Sequence, residues 1–322
     1  MTWLEERTGL GGAFQSLKAR LSRPLPPKSG GAALGGVALF FFGVQIVSGA
    51  LLAVYYVPAW DQAHASVGRI AREVTLGWLV RSVHLWSAHL LIATILLHLV
   101  RVFARGAYEK PREVTWLAGV ALLGVLMGAA FTGQMLPMDD EAVKGAEVAA
   151  AYADEGGVAT LVRGDKVVGQ AMLTRMFAAH VIVIPLTCLL LIAAHLALVG
   201  KHRLKGAEAL EGSSPLFLQR LGMALFAATA LLAVLAFVFP AGVGPPPGAP
   251  DAPASAKPLW MFLPVYQAAK ARWLSGPPTL LLLVGPPAFL VLVPFLPRKL
   301  AVAIGSLLLA AAVALGIWGA AS

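Results

Sequence analysis

The residues that can do chemistry here are four histidines in two apolar stretches, His84 and His98 between Arg81 and Arg101, and His180 and His195 at or after Arg175. Fourteen residues separate the first pair and fifteen the second. On a helix turning about 100° and rising roughly 1.5 Å per residue, His98 returns to within about 40° of His84, about 21 Å further along. His195 returns to within about 60° of His180, about 22 Å along. Two such helices set antiparallel present one His–His pair near each bilayer face, the arrangement that holds two stacked haems. A lone histidine in an apolar helix is ordinarily a hydrogen-bonded core residue. Four at matched spacing point instead to ligation, because an imidazole in hydrocarbon is costly without a partner. Zinc fits less well, since it favours a single tetrahedral cluster that often includes cysteine. The one cysteine, Cys188, lies inside an apolar run and excludes both an intrachain disulfide and a CxxCH attachment site. Haem held by these pairs is therefore expected to be non-covalent and of b type.

The elements that position these side chains must be membrane spans. Of the 322 residues 58% are hydrophobic and only 13% charged, and the mean hydropathy is +0.78, far outside the soluble class. Seven apolar stretches are long enough to cross: about Ala33 to Tyr56, Trp78 to Phe103, Val114 to Leu136, Leu173 to Val199, Leu216 to Phe239, Pro277 to Leu296 and Leu300 to Ala320. The net charge of +9 reflects topology rather than nucleic acid. Basic residues collect before Lys28, at Arg101 to Arg112, at Lys201 to Lys205 and at Arg298–Lys299. Acids collect in the intervening loops, which makes the basic ones cytoplasmic and sets the amino terminus on the inner side. The expected fold is all-α and integral to the membrane. Residues 1–32 form an amphipathic inner-surface segment, 33–205 a four-helix di-haem bundle, and 206–322 a three-helix part. The connection from Pro58 to Gly77 is expected to hold a surface helix, and His64 and His89 are expected not to be ligands, since His89 lies about 180° around its helix from His98; the alternative for His89 is contact with a quinone or a neighbouring subunit.

The first and third spans carry no histidine but share a glycine rhythm. Gly35 and Gly49, and Gly119 and Gly133, are each fourteen residues apart. With spans alternating in direction, Gly35 and Gly119 fall at the inner level of His98 and His195, and Gly49 and Gly133 at the outer level of His84 and His180. Glycine lets a flat macrocycle approach the backbone, although small residues also serve close helix packing in membranes. Two helices would supply ligands and two would supply flat seats.

These residues carry a resemblance to the cytochrome b family of quinol-oxidising bc and bf complexes. The runs GWLVRSVHLWSAH, LHLVRVF, KPREVTWLAGV, TGQMLP and VGQAMLTRMFAAHVIVIPL resemble the short, bf type, as does the fifteen-residue spacing of His180 and His195. The stretch Pro258, Leu259, Trp260, Met261, Phe262, Leu263, Pro264 resembles the PEWYFLP of the family's carboxy-terminal part, here fused to the bundle. The resemblance implies His84 with His180 as ligands of an outer haem iron and His98 with His195 as ligands of an inner one. It implies quinol oxidation at the outer face, electrons descending through two b haems to an inner quinone, and coupled proton translocation. The expected company is a Rieske-type iron–sulfur protein, a cytochrome c and a second copy of the chain, in a bacterial inner or equivalent energy-transducing membrane, with no nucleic acid. Arg81, Arg101 and Arg175 are expected to face haem propionates. Pro258, Trp260 and Phe262 would line the outer quinone site, and Lys201 and His202 the inner one.

Three departures bear on function. Short-type proteins hold a third haem through a cysteine just before the paired glycines. Ala33 stands there, so no covalent third haem is expected. Leu259 occupies the position of the motif's glutamate and cannot accept a proton. Asp139, Asp140 and Glu141, just after Pro137, are the expected substitutes. Met261 replaces the tyrosine. Leu259 and Met261 also favour an alternative, a non-bifurcating electron conduit between the quinone pool and another redox partner.

Overall fold

The computed structural model describes residues 32–155, 164–165, 167–204, 214–250, 257–270 and 277–321. The expected amphipathic segment before Gly31 and the composition shift at Gly206 lie outside these residues. No strand occurs among them. The helices are α1 (Ala32–Tyr55), α2 (Ala63–Arg72), α3 (Gly77–Ala104), α4 (Glu113–Met135), α5 (Asp140–Glu155), α6 (Gln170–Ala178), α7 (Ile184–Leu204), α8 (Ser214–Val238), α9 (Leu263–Ala269), α10 (Pro277–Leu292) and α11 (Arg298–Ala321). A π-helical turn, Ala179–Val183, joins α6 to α7 without a break.

Six helices among the described residues are long and apolar enough to cross a bilayer, the α6–π–α7 unit counting as one. The seventh expected span differs. Pro277 to Leu292 makes sixteen helical residues and Val293–Phe295 closes it as a 3-10 turn. At roughly 1.5 and 2.0 Å per residue the two pieces reach only about 30 Å, a bare match to the hydrocarbon thickness. The internal pair Pro286–Pro287 removes two backbone donors from this helix.

The bundle is layered because its four helices repeat with one period. Halfway between the paired glycines of α1 stands Phe42. Halfway between the histidines of α3 stands Leu91, and between the glycines of α4, Leu126. Cys188 of α7 lies between His180 and His195. Seven steps turn a helix to within about 20° of its starting face. Those residues therefore point inward with the histidines and glycines, and all four are buried in one cluster with Phe41, Ile92 and Leu232. A packed apolar layer thus separates the polar layer of His84 and His180, the expected outer level, from that of His98 and His195, the expected inner level. Around it the chain exposes Leu186, Leu190, Phe226 and Leu307, as a lipid-facing surface should.

Two interactions fix the registers. Gln45 of α1 donates Nε2–H to the His84 carbonyl at 2.6 Å and to Ser87 Oγ at 2.5 Å. Trp116 of α4 donates Nε1–H to the Leu290 carbonyl of α10 at 2.6 Å. The glycine- and proline-rich loop after α8 is held across the outer end of the bundle. Arg81 donates to the carbonyls of Ala241 (3.1 Å) and Gly242 (2.8 Å), and the Ala241 N–H donates to Ser82 Oγ (3.0 Å). His64 donates to the Gly244 carbonyl at 2.9 Å and the Asp140 N–H to that of Pro245 at 3.0 Å.

Candidate haem-binding site

At the outer level His84 of α3 faces His180, with ring centroids 6.2 Å apart and planes nearly perpendicular at 77°. His98 and His195 come close enough to interact electrostatically at the inner level. Each imidazole lies against one of the four rhythmic glycines. A Cβ added at Gly133 would stand 2.6 Å from His180 Cε1, at Gly49 3.1 Å from His84 Cε1, at Gly119 3.4 Å from His195 Cε1, and at Gly35 3.9 Å from His98 Cε1. The absent side chains are what bring each ring to the neighbouring backbone.

The π turn resolves the unequal spacing. Fifteen ideal α-helical steps leave His195 about 60° off the His180 direction, whereas fourteen leave about 40° the other way. A π-bulge takes up one extra residue. His180 lies within it, so the His180–His195 segment behaves like the fourteen-residue segment of α3. The bulge also precedes Pro185, whose missing N–H would otherwise interrupt a regular ladder.

Hydrogen bonds set the tautomers at the outer level. The single hydroxyl proton of Ser48 goes to the Val44 carbonyl at 2.6 Å, so Ser48 Oγ accepts from His84 Nδ1–H at 2.9 Å. His180 Nδ1 faces the Ala129 carbonyl at 3.1 Å and Thr132 Oγ1 at 3.2 Å. A carbonyl only accepts, so this nitrogen carries the proton too. Both Nε2 lone pairs remain for a metal, with Nδ1–H anchored by the neighbouring helix as ligating histidines generally are. The inner rings differ. Nδ1 of His98 is buried without a hydrogen-bond partner among the described residues, and that of His195 makes no bond of good geometry although the Thr115 backbone lies beside its ring. Paired rings seated on glycines fit bis-imidazole ligation of a flat group at two levels.

A family model described as Cytochrome b/b6/petB matches residues 27–203. The chain belongs to the cytochrome b/b6 family. A cytochrome bc complex cytochrome b subunit of Chlorobaculum thiosulfatiphilum is 37% identical over 283 residues, covering 82% of this chain and 66% of the relative, so this chain spans just under two-thirds of that relative's length. The menaquinol:cytochrome c reductase cytochrome b subunit of Geobacillus thermodenitrificans is 40% identical over 178 residues, 53% of this chain and 80% of the relative. A chain of a hyperthermophilic respiratory Complex III superposes with a TM-score of 0.80 over 99% of this chain and 90% of its own, at 23% identity, which shows the fold alone. This cytochrome b is thus a multi-span membrane protein, and its family implies b-type haem and interaction with quinone.

The remaining expected site residues have separate surroundings. Arg81 is occupied by the carbonyls of the 241–242 segment, and Arg175 approaches the backbone at Gly164. Arg101 follows His98 by three residues and is half-buried. Asp139 caps α5, accepting the Ala142 N–H at 2.9 Å. Asp140 is buried, pairs with Lys144 at 2.6 Å and accepts the Gly248 N–H at 3.1 Å. The bonds from Lys144 and Gly248 hold its carboxyl below the usual carboxylate range. Glu141 is the opposite case, because desolvation and the neighbouring Asp139 push its carboxyl up while the Lys257 backbone N–H holds it down. Phe262 packs edge-on against Phe131 of α4, with centroids 6.4 Å apart. Trp260 donates its indole N–H to His89 Nδ1 at 2.9 Å, and Pro258 stands two residues before it. Lys201 is exposed in the last turn of α7, and the side chain of the adjacent His202 lies outside those described.

Ser48, Thr132 and the π turn are absent from the sequence expectations, although two of them leave a trace. Each outer-level glycine is preceded by a hydroxyl residue, Ser48–Gly49 and Thr132–Gly133, whereas the inner-level glycines follow Leu34 and Ala118. That contrast accounts for the hydroxyl contacts of the outer rings.

Proposed function

We propose that this cytochrome b is the di-haem membrane subunit of a bc-type quinol oxidoreductase, working between a quinol site at the outer face and a quinone site at the inner face. The observation that carries the reading is the pair of layers in which two histidines and two glycines recur across a dry middle. His84 and His180 would hold one non-covalent b haem and His98 and His195 the other, with no covalent third haem at Ala33. Bound there, haem supplies a one-electron iron couple at each level. The chain's own share is to orient the rings through Ser48, Thr132 and Ala129, to exclude water with the Phe42–Leu91–Leu126–Cys188 layer, and to handle the quinol protons. The division into residues 1–32, 33–205 and 206–322 belongs to the same reading. So do a Rieske-type iron–sulfur protein, a cytochrome c, a homodimeric complex, a bacterial-type inner membrane and an amino terminus on the inner side. Arg101 is the arginine best placed to face a propionate, since Arg81 already holds a loop.

With Leu259 unable to take a proton, the outer acceptor is Glu141. Asp139 is committed to capping a helix and Asp140 to Lys144 and Gly248, while Glu141 has the backbone of Lys257, next to Pro258, beside its carboxyl. A carboxyl whose pKa is raised accepts protons only above that raised value. Quinol oxidation should therefore fall as pH drops through a point above the ordinary glutamate range, and in Glu141→Gln that acidic limb should vanish and the plateau rate drop roughly 100-fold or more. An unchanged pH profile would reassign the acceptor.

The purified complex tests the reading as a whole. It should show two b-type absorbances and oxidise quinol, with inhibition of the outer site also stopping haem reduction. The conduit alternative, favoured by Leu259 and Met261, predicts haem reduction that such an inhibitor leaves untouched.

A further inference from the structure

His89 belongs to neither histidine pair, yet it sits on the same helix, five residues past His84. That places it about 140° around α3 from His84 and about 7.5 Å deeper. Within the 28-residue helix it is the thirteenth residue, near mid-span, and it is half-buried.

Its hydrogen bonding fixes what it can do. Indole nitrogen only donates, so the bond from Trp260 Nε1 to His89 Nδ1, 2.9 Å long, holds the neutral ring in the tautomer with its proton on Nε2. Among the described residues no acceptor meets that Nε2–H. Trp86 covers the ring from one side, with centroids 5.5 Å apart. Trp86 is in turn anchored by its own indole bond to the Phe239 carbonyl at 2.7 Å and packed against the Phe239 ring.

An N–H without an acceptor at this depth is costly. Lipid ester carbonyls lie at the interface, on the order of 15 Å away for a group near the middle of a core about 30 Å thick. An apolar molecule that carries an oxygen into the hydrocarbon and fits beside the aromatic rings of Trp86 and Trp260 meets that need. We infer that His89, oriented by Trp260 and walled by Trp86, donates its Nε2–H to a ring oxygen of the quinone headgroup at the outer site. This rests on the quinol reading above and deepens it. Because Nδ1 is occupied by the indole, His89 binds and orients the ring without taking the quinol's proton, which leaves that step to a separate acceptor. Sequence periodicity alone turns His89 away from the haem ligands. The structure shows that it is turned toward the Pro258–Pro264 segment.

The test uses the intact purified complex and a short-tailed 1,4-naphthoquinone as probe. Its dissociation constant is read by titration and its ring C=O stretch by difference infrared spectroscopy, with quinol KM and kcat alongside. His89→Leu should weaken probe binding and raise KM roughly fivefold, as the loss of one neutral hydrogen bond does, and should abolish the down-shift of one carbonyl band. His89→Gln, which keeps an N–H donor, should restore both. Trp260→Phe frees Nδ1 and should broaden the shifted band. Haem content checks that each variant is assembled. A wild-type carbonyl band and dissociation constant in a haem-loaded His89→Leu complex would overturn the assignment. So would loss of the dimer with quinone binding unchanged, since the acceptor would then be a second copy of the chain. Failure of the wild-type complex to oxidise quinol would instead sink the function on which the inference rests.

Discussion

A His180→Ala protein should lose one of its two b-type absorbances and keep the other. His180 is the proposed ligand most heavily specified by its neighbours. It lies on the π turn, its Nδ1–H faces the Ala129 carbonyl and Thr132, and its ring fills the space that a side chain at Gly133 would take. Removing it leaves His84 alone at the outer level. Even the second partners of metal-bound histidines are worth roughly 10- to 100-fold in affinity, so loss of the ligand itself should weaken outer haem binding by more than about a hundredfold and bring quinol oxidation to background. Haem per polypeptide should fall from two to one, with the remaining spectrum that of the inner group. The dry layer of Phe42, Leu91, Leu126 and Cys188 predicts this independence, because it separates the two levels with packed side chains that neither haem has to order. A His180→Ala protein that retained both absorbances, or lost both together, would show that the two pairs are not separate sites.

The second large effect concerns residues with no functional group at all. Gly133→Val should reproduce the loss of the outer absorbance with every histidine in place, whereas Gly35→Ala should leave the haem content close to two. A Cβ at Gly133 would meet His180 Cε1 at 2.6 Å and its Nδ1 and Nε2 at 3.2 Å. The ring cannot yield without breaking the bonds that orient it. At Gly35 the same atom would find His98 Cε1 at 3.9 Å, an ordinary van der Waals contact. Gly49 at 3.1 Å and Gly119 at 3.4 Å fall between, so haem retention in an alanine series should rank Gly35, Gly119, Gly49, Gly133 from most to least tolerant. Overpacking of this kind typically costs about 1–3 kcal/mol even in an adaptable core, and a rigid hydrogen-bonded ring is less adaptable. Pyridine haemochrome titration of the four purified variants measures the ranking. Equal tolerance at Gly133 and Gly35 would mean that the glycines serve helix packing alone.

The site's outline was legible because it is written in helical periodicity. His84 and His98, Gly35 and Gly49, and Gly119 and Gly133 each repeat at fourteen, and any helix through them must place both members on one face. The spans were legible for a similar reason, since a bilayer demands about twenty apolar residues and the chain supplies them in blocks. Lateral contacts between different elements were not legible in this way. Arg81 looked free to meet a propionate, because nothing local shows that a loop some 160 residues later would present two carbonyls to it. Asp139, Asp140 and Glu141 read as three equal acids, and only the chain folded around them makes one a cap, one an ion-pair partner and one a carboxyl with a raised pKa.

By itself the amino-acid sequence determined the membrane class, the two histidine helices, the two glycine helices and the relative level of each of those residues along its helix, because all of these follow from the composition and from the rise and turn of a single helix. The tertiary structure alone decided the hydrogen-bond partners of the imidazoles, the π turn that absorbs the fifteenth residue before Pro185, and the meeting of His89 with Trp260. Each of those depends on which helix lies beside which, and at what rotation, which no one-dimensional period encodes.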